Sequence, residues 1–189
     1  MKKLMICSMM CLMVIAAEAQ VLTSQTIRQC YEKAAAQENV SDDDHYLFIY
    51  NADFDGDAVK TQYVYQQKRS GKGKPVPAVR YDYQYDDDGL LLSRVAYRWY
   101  KGEWLCMGRH DYLLQDDSYV MEYSRWNVFR GRYDNPCEKT VLSLLPNQTV
   151  SDIYCYQRSK YSAPYQLTGH YAAIPQSLGM DYYLTLKGR

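Results

Sequence analysis

The feature that most constrains this chain is an alternation of tyrosines with polar residues, which begins near residue 45 and is interrupted at intervals by turn sequences. In residues 79–85, valine and tyrosine occupy every second position, with Arg, Asp and Gln between them. A period of two is typical of a β-strand with one buried face. Asp-Asp-Asp-Gly at 86–89 favours a turn, and residues 91–99 alternate again. These segments predict an antiparallel hairpin.

The same pattern recurs along the chain at a spacing of about 30 residues, one hairpin for each repeat. The chain has 21 tyrosines in 189 residues, against 3 phenylalanines and 3 tryptophans. We therefore predict an all-β fold, an antiparallel meander of about 8–10 strands in which strands adjacent in sequence pair in the sheet. The predicted strands are residues 46–50, 59–66, 79–85, 91–99, 104–114, 119–126, 140–145, 150–157, 166–171 and 182–186.

One helix is expected before the strands. Thr23 or Ser24 can cap it, and apolar residues at positions 27, 30, 31 and 34 form a narrow stripe along one face. A helix with so narrow a stripe is expected to pack on a face of the sheet. The resulting organisation is a leader at 1–19, a helix with an acidic linker at 20–44, and an antiparallel β domain at 45–189.

The first 19 residues have the pattern of a secretory signal. Lys2 and Lys3 precede an apolar run at 4–17, and Ala17 and Ala19 are the small residues that signal peptidase requires. The run has 14 residues, whereas a membrane span needs about 20. We therefore predict an exported chain cleaved near Ala19, with no membrane span. A cytosolic protein with an apolar N-terminus is the weaker alternative.

Four cysteines remain after the leader, and in an oxidising compartment they suggest two disulfides. Pro146 and Asn147 form the turn signal midway between Cys137 and Cys155, so a hairpin there would bring these two cysteines opposite each other. The remaining pair is then Cys30–Cys106. The alternative to two disulfides is that all four cysteines remain free thiols.

The charged residues exclude nucleic acid as a partner and predict an acidic rim at one end of the sheet and a basic rim at the other. Lys+Arg and Asp+Glu are 22 each, so the chain lacks the basic field of a nucleic-acid binder. Alternate turns of a meander lie at the same end. One end would carry aspartates and the other lysines and arginines, although aspartate is also favoured in turns for local reasons. The acidic set is Asp53, Asp55, Asp57, Asp86, Asp87, Asp88, Asp116 and Asp117; the basic set is Lys68, Arg69, Lys72, Lys74, Lys101, Arg130, Arg132, Arg158 and Lys160.

The acidic rim contains a partial calcium-loop pattern. Asn51, Asp53, Asp55 and Asp57 supply oxygen ligands at alternate positions, with glycine at the sixth. Position 12 is Gln62 rather than the bidentate glutamate, so a plain hairpin turn is the favoured alternative. Calcium is the one cofactor that the sequence raises.

No catalytic arrangement emerges from the sequence. The histidines are His45, His110 and His170, and His110 and its neighbour Asp111 would point to opposite faces of a strand. A Gly-x-Ser-x-Gly elbow and a Walker loop are both missing. We therefore expect a protein that is not an enzyme.

The aromatic residues are the better candidates for a site. We predict an exposed surface of Tyr81, Tyr83, Tyr85, Tyr97, Trp99, Tyr112 and Tyr123 that binds an extracellular glycan or protein. The favoured alternative is that these tyrosines form the core, each with its hydroxyl at an edge. The chain would then be a structural spacer or an accessory subunit of a cell-surface assembly.

Three segments also carry a family resemblance: residues 83–90 (Tyr-Gln-Tyr-Asp-Asp-Asp-Gly-Leu), 96–99 (Ala-Tyr-Arg-Trp) and 122–127 (Glu-Tyr-Ser-Arg-Trp-Asn). They resemble the Bacteroides-type secreted proteins called domain of unknown function 3836, over about residues 45–145. The resemblance implies an all-β repeat and export from a Gram-negative bacterium, hence a secreted or periplasmic location. It implies no activity and no site residues, because the family has no established function.

Overall fold

The computed structural model describes residues 21–36, 39–40, 46–70, 73–146, 150–160, 162–172 and 184–185. The predicted leader at 1–19 and the acidic residues 42–44 of the linker lie outside the described residues.

One helix and twelve strands make up the described fold. The helix, α1, spans Ser24–Ala36. The strands are β1 (Asn39–Val40), β2 (Tyr46–Asp55), β3 (Ala58–Lys68), β4 (Val76–Tyr85), β5 (Leu91–Tyr100), β6 (Glu103–Gln115), β7 (Ser118–Asn127), β8 (Arg132–Tyr133), β9 (Glu138–Leu144), β10 (Val150–Gln157), β11 (Gln166–Ala172) and β12 (Leu184–Thr185).

The sheet is an antiparallel meander, as the sequence predicts. The strands pair in the order β1-β2-β3-β4-β5-β6-β7-β9-β10-β11-β12. The short strand β8 leaves this path and pairs with β7, so that β9 also pairs with β7. The prediction of consecutive hairpins is confirmed apart from this one excursion.

The chain divides into two compact units. Among the described residues, the helix-bearing unit comprises Leu22–Asp111 and Ser124–Asp134, and the C-terminal unit comprises Val21, Tyr112–Tyr123 and the residues from Asn135 onward.

The start of α1 is fixed by a reciprocal cap. The Oγ1 atom of Thr23 accepts a hydrogen bond from the Thr26 backbone N–H at 3.2 Å, and Thr26 Oγ1 accepts one from the Thr23 N–H at 2.7 Å. Both groups would otherwise lack a helical partner. The Ser24 N–H also donates to the Gly89 carbonyl at 2.8 Å, so the first turn of the helix is bound to the β4–β5 turn.

The face of the sheet beneath α1 forms the core of the helix-bearing unit. Ile27 of the helix is 5% exposed, and Val59 and Leu91 of the sheet are fully buried. The ring of Tyr31 packs edge-on against Phe54 at 5.7 Å. Because Phe54 pairs with Val59 across β2 and β3, both side chains lie on this side, which we call the helix face.

A bulge early in β5 reverses which residues face the helix. Tyr85 pairs with Leu91, but Gln84 pairs with Ser93, so Leu92 has no partner in the ladder. Leu91 is 0% exposed and Leu92 is 38% exposed. An extra residue in one strand moves every later side chain to the other face. From Ser93 onward, odd-numbered residues of β5 therefore face away from α1.

The C-terminal unit has a core of its own. Tyr119 is 0% exposed and Val150 is 1% exposed, and Leu142 lies opposite Tyr119 in the β7–β9 ladder. The ring of Tyr112, which is 7% exposed, stacks on that of Tyr119 at 6.0 Å. Tyrosines therefore contribute directly to this core.

Neither predicted disulfide is formed, and Cys30, Cys106, Cys137 and Cys155 are thiols. In the β9–β10 ladder, Cys155 lies opposite Thr140, whereas the Cys137 carbonyl accepts a hydrogen bond from the Arg158 N–H. A three-residue offset places Cys137 and Cys155 about 10 Å apart along the strands. A disulfide needs Cα atoms within about 7 Å, so the symmetric hairpin assumed from the sequence was wrong.

Candidate functional site

The face of the helix-bearing unit that points away from α1 carries a cluster of aromatic and arginine side chains. Cross-strand partners share a face. Arg80 of β4 lies between Tyr63 of β3 and Tyr97 of β5, and Trp99 pairs with Trp104 of β6. We call this surface the arginine–aromatic face and define it as Tyr63, Tyr65, Arg80, Asp82, Tyr97, Trp99, Trp104, Cys106, Arg109 and Tyr133.

Arg80 is at the centre of this face. Its guanidinium carbon lies 4.0 Å from the ring centre of Tyr97 and 5.6 Å from that of Trp104. These are cation–π distances. One guanidinium nitrogen also donates to Asp82 Oδ2 at 3.0 Å. The contacts on several sides hold the arginine in one position before any ligand arrives.

The rings around Arg80 contact one another. The Trp99 and Trp104 rings meet edge-on at 5.0 Å, and the Tyr63 ring lies 6.3 Å from Trp104 and 6.5 Å from Tyr65. The Tyr63 hydroxyl donates to Asp53 Oδ2 at 3.0 Å. The result is a continuous row of rings across strands β3, β5 and β6.

A second arginine lies at the margin of this face. The Arg109 guanidinium carbon lies 4.7 Å from the ring centre of Tyr133 in β8, and its Nε atom lies 2.9 Å from Asp111 Oδ1. The Tyr133 hydroxyl and the Cys106 Sγ atom are 3.6 Å apart. Each arginine of the face thus contacts both an aromatic ring and a carboxylate.

Three phenols of the face, those of Tyr63, Tyr97 and Tyr133, are neutral at physiological pH. Burial, followed by the hydrogen bond to Asp53, raises the pKa of Tyr63. Burial, followed by the charge of Asp82, raises the pKa of Tyr97. Burial and the contact with Cys106 raise the pKa of Tyr133. The three hydroxyls therefore remain protonated and able to donate hydrogen bonds.

The face combines properties that suit noncovalent recognition. Tyr63, Tyr97, Trp99 and Trp104 are each partly exposed, so part of every ring can be reached from solvent. Flat apolar surfaces lie beside guanidinium donors and carboxylate acceptors. Such an arrangement can stack against a ring-shaped ligand and hydrogen-bond groups at its edge.

Of the seven residues predicted as one surface, two lie on this face. Tyr97 and Trp99 belong to it. Tyr81 is 8% exposed and lies on the helix face, where the Arg94 guanidinium carbon sits 5.2 Å from its ring centre. The prediction of a single surface was wrong because the bulge at Leu92 changes the face of every later residue in β5.

The other four predicted residues lie elsewhere. The Tyr83 hydroxyl donates to Gln62 Oε1 at 2.8 Å and the Tyr85 hydroxyl to the Val59 carbonyl at 3.1 Å, which places both tyrosines on the helix face. Tyr112 and Tyr123 belong to the C-terminal unit. Tyr112 is part of its core, and the carbonyl of Tyr123 accepts a hydrogen bond from the Cys137 N–H at 2.9 Å.

Sequence reasoning missed Tyr63, Tyr65, Arg80 and Trp104. The sequence predicts a strand at residues 59–66, but a bulge at Lys60 determines which of its residues share a face. Arg80 alternates with the tyrosines of β4, and only the register shows that it lies beside Tyr97.

The predicted calcium loop takes a different form. Asn51, Asp53 and Asp55 lie within strand β2 rather than in a loop. Asp53 accepts the Tyr63 hydroxyl, and Asp57 forms an ion pair with Arg28. In the described part of the chain, no three His, Cys, Asp or Glu side chains are grouped to hold a metal.

The predicted rims hold within the helix-bearing unit. Antiparallel pairing of β2 with β3 and of β4 with β5 brings their turns to the same end, which carries Asp55, Asp57, Asp86, Asp87 and Asp88. The connections at the opposite end carry Lys68, Arg69, Lys74 and Lys101. Lys72 lies outside the described residues.

Within the helix-bearing unit, His110 lies on the helix face rather than on the arginine–aromatic face. His110 pairs across the ladder with Arg94, and Asp111 forms an ion pair with Arg109, so these two neighbours face opposite sides of β6. Burial lowers the pKa of His110 to about 3, with the charge of Arg94 as the second cause.

His170 and a tyrosine–arginine cluster lie in the C-terminal unit. The Nε2 atom of His170 lies 2.9 Å from Asp152 Oδ1, and its ring stacks on Tyr154 at 4.3 Å. The Tyr165 hydroxyl accepts a hydrogen bond from Arg158 at 3.1 Å, and burial, followed by the charge of Glu122, raises the pKa of Tyr165.

Among the described residues there is no helix whose length and apolar character would let it cross a membrane.

Comparison with known proteins identifies the family. A crystal structure of a protein of unknown function from Bacteroides fragilis has 24% identity and a TM-score of 0.59, covering 68% of this chain and 92% of its own. This likeness shows a shared fold. A DUF3836 family protein from Parabacteroides distasonis has 19% identity and a TM-score of 0.46, covering 52% of this chain and 91% of its own. No curated protein matches the chain. The model of the family of unknown function DUF3836 matches residues 1–144. The chain therefore belongs to the DUF3836 family.

Proposed function

We propose that this chain is an exported, non-catalytic binding module whose arginine–aromatic face contacts an extracellular glycan or protein, a glycan being the better fit. One observation carries the proposal. Arg80 is held among Tyr97, Trp104 and Asp82 on a face where each ring remains partly exposed. Side chains fixed in this way lose little conformational entropy when a ligand binds.

The chemistry of the face favours a sugar over a peptide. A sugar ring has an apolar C–H surface and hydroxyl groups around its edge. Trp99 and Trp104 offer flat surfaces for the first, and the Arg80–Asp82 pair offers donors and acceptors for the second. The paired charges cancel, so the face fits a neutral saccharide better than an acidic one. Export rests on the pattern of residues 1–19, which would deliver the chain to where such glycans occur.

A glycan array tests the proposal. The protein is applied to immobilised saccharides, and a hit is confirmed in solution by quenching of tryptophan fluorescence. Trp99→Ala should weaken binding at least about thirtyfold, as expected when an aromatic anchor is removed. Tyr100→Ala is the matched control. This side chain is the next residue of the same strand, is 48% exposed and faces the other side, so its loss should leave binding unchanged.

The spacer alternative makes a different prediction. It is favoured by the buried rings of Tyr81, Tyr112 and Tyr119, which show that this chain also uses tyrosine as core. Hydroxyl-radical footprinting read by mass spectrometry separates the two ideas. Trp99 and Trp104 should be modified readily in the free protein and protected by the saccharide. If no saccharide binds and both tryptophans resist modification, the binding proposal is refuted and the spacer is favoured.

A further inference from the structure

The β7–β8 hairpin ends in two apolar side chains that project into solvent. Phe129 is 102% exposed and Val128 is 76% exposed. Phe129 is one of three phenylalanines in the chain. Single apolar residues are common on protein surfaces, but here two adjacent ones occupy the tip of one turn. Neither the arginine–aromatic face nor the core accounts for this position.

The turn that presents these residues is firmly built. The Asn127 carbonyl accepts hydrogen bonds from the Arg130 N–H at 3.2 Å and the Gly131 N–H at 2.9 Å, and its side-chain amide donates to Asp134 at 3.0 Å. Gly131 has a φ of 59°, which a glycine adopts without strain. Two residues before the turn and two after it are paired strand residues. Val128 and Phe129 are therefore held at a defined tip.

Arginines surround the tip. In the β7–β8 ladder Asn127 pairs with Arg132, so Arg125, two residues before Asn127, lies on the same face of the hairpin as Arg132. Arg130 is in the turn itself; its Nη1 atom lies 4.0 Å from Asp134 Oδ1, and 61% of its side chain remains exposed. The single carboxylate of residues 125–134, that of Asp134, is only 8% exposed. The surface presented around the tip is positive.

We infer that the β7–β8 tip docks onto an anionic lipid surface, with Phe129 and Val128 in the interfacial region and Arg125, Arg130 and Arg132 at the level of the phosphates. An apolar tip backed by arginines is the arrangement that interfacial binding uses. A convex, fully exposed phenylalanine fits a deformable lipid interface without any matching pocket, whereas a protein partner would need an acidic cavity of the right shape. This inference is independent of the proposed glycan face.

Vesicle co-sedimentation tests the inference. The full chain is mixed with phosphatidylcholine vesicles that contain either none or about 40% phosphatidylglycerol. Binding should require phosphatidylglycerol and should be lost as NaCl rises from about 0.1 to about 1 M, where the Debye length falls to about 3 Å. Phe129→Ser should reduce partitioning at least about tenfold. Arg130→Gln and Arg132→Gln should each reduce it about fivefold.

A matched pair of variants provides the control. Val128→Ser should reduce binding, whereas Val76→Ser makes the same chemical change at a strand residue that is 55% exposed and should have no effect. Every protein compared carries the same N-terminal segment, so a difference between variants is assigned to the substituted side chain. Circular dichroism and thermal melting confirm folding, which should be unaffected because the substituted side chains are exposed.

Two results would overturn the inference. The first is equal partitioning of the unmodified protein and Phe129→Ser. The second is an unmodified protein that forms a dimer in sedimentation velocity, with Phe129→Ser monomeric and its vesicle binding unchanged. The tip would then be a contact between copies of the chain.

Discussion

Mild acid should destabilise this protein through one imidazole. His110 lies on the helix face next to Arg94, which is 6% exposed, and its Nδ1 atom is inaccessible to solvent. Protonation would place a second positive charge beside a buried guanidinium. Burial and this neighbour lower the pKa of His110 to about 3 in the folded protein. In the unfolded chain the pKa returns to about 6.5.

The sign of the effect follows from proton linkage. Below about pH 6.5 the unfolded state binds a proton at His110 and the folded state does not, so the free energy of unfolding falls as the pH decreases. Above pH 6.5 the histidine is neutral in both states and contributes no pH dependence. At pH 5 the difference from the unfolded pKa is about 1.5 units, which corresponds to about 2 kcal/mol of lost stability.

Urea denaturation at pH 7.5 and pH 5.0, followed by tryptophan fluorescence, measures this loss. Most carboxylates remain ionised at pH 5, so they contribute little to the difference. His110→Gln keeps a neutral polar side chain and should lose about 2 kcal/mol less than the unmodified protein over this interval. His170→Gln leaves His110 in place and should retain the His110 contribution. Equal losses in the unmodified protein and in His110→Gln would refute the reasoning.

Two further predictions test how the β4–β5 hairpin is built. Leu91→Ala should lower the free energy of unfolding by about 2–5 kcal/mol because Leu91 is fully buried. Leu92→Ala, at the exposed bulge position, should lower it by about 0.5 kcal/mol or less. If chemical denaturation gave equal losses for the two variants, the bulge would be misplaced. Gly89→Ala should cost about 1–3 kcal/mol, since φ is 79° and an added Cβ would lie 2.9 Å from Ser24 Oγ. Gly102 has a φ of 93°, and a Cβ added there would have no atom within 4 Å, so Gly102→Ala measures the cost of the backbone conformation alone. Equal losses of stability in thermal melts of the two glycine variants would argue against the contact with Ser24.

The order of the strands could be predicted because it depends on local signals. Alternation marks each strand, and Asp-Gly or Lys-Gly sequences mark the turns at residues 56, 89 and 102, where the glycines have positive φ. Antiparallel neighbours then follow from short connections. The cap at Thr23 was likewise visible because a capping residue acts within four positions of itself.

The register could not be predicted, because nothing local specifies where a bulge falls. The β9–β10 hairpin contains a bulge between Val150 and Asp152, and its register differs by three residues from the symmetric hairpin centred on residue 146. The predicted Cys137–Cys155 bridge depended on that symmetry. A strand pattern fixes which residues alternate, whereas the bulges decide what lies opposite them.

The bulge at Leu92 determines what the candidate site contains. In β4, the tyrosines point toward the helix, and Arg80 and Asp82 point away from it. With a regular ladder from Leu91 onward, Tyr97 would face the helix and Arg80 would lie opposite Ala96. The extra residue instead brings Arg80 opposite Tyr97, at 4.0 Å from its ring centre. The combination of guanidinium and aromatic rings on one face thus arises from a single unpaired leucine, which is why tyrosine content alone cannot distinguish core from surface in this chain.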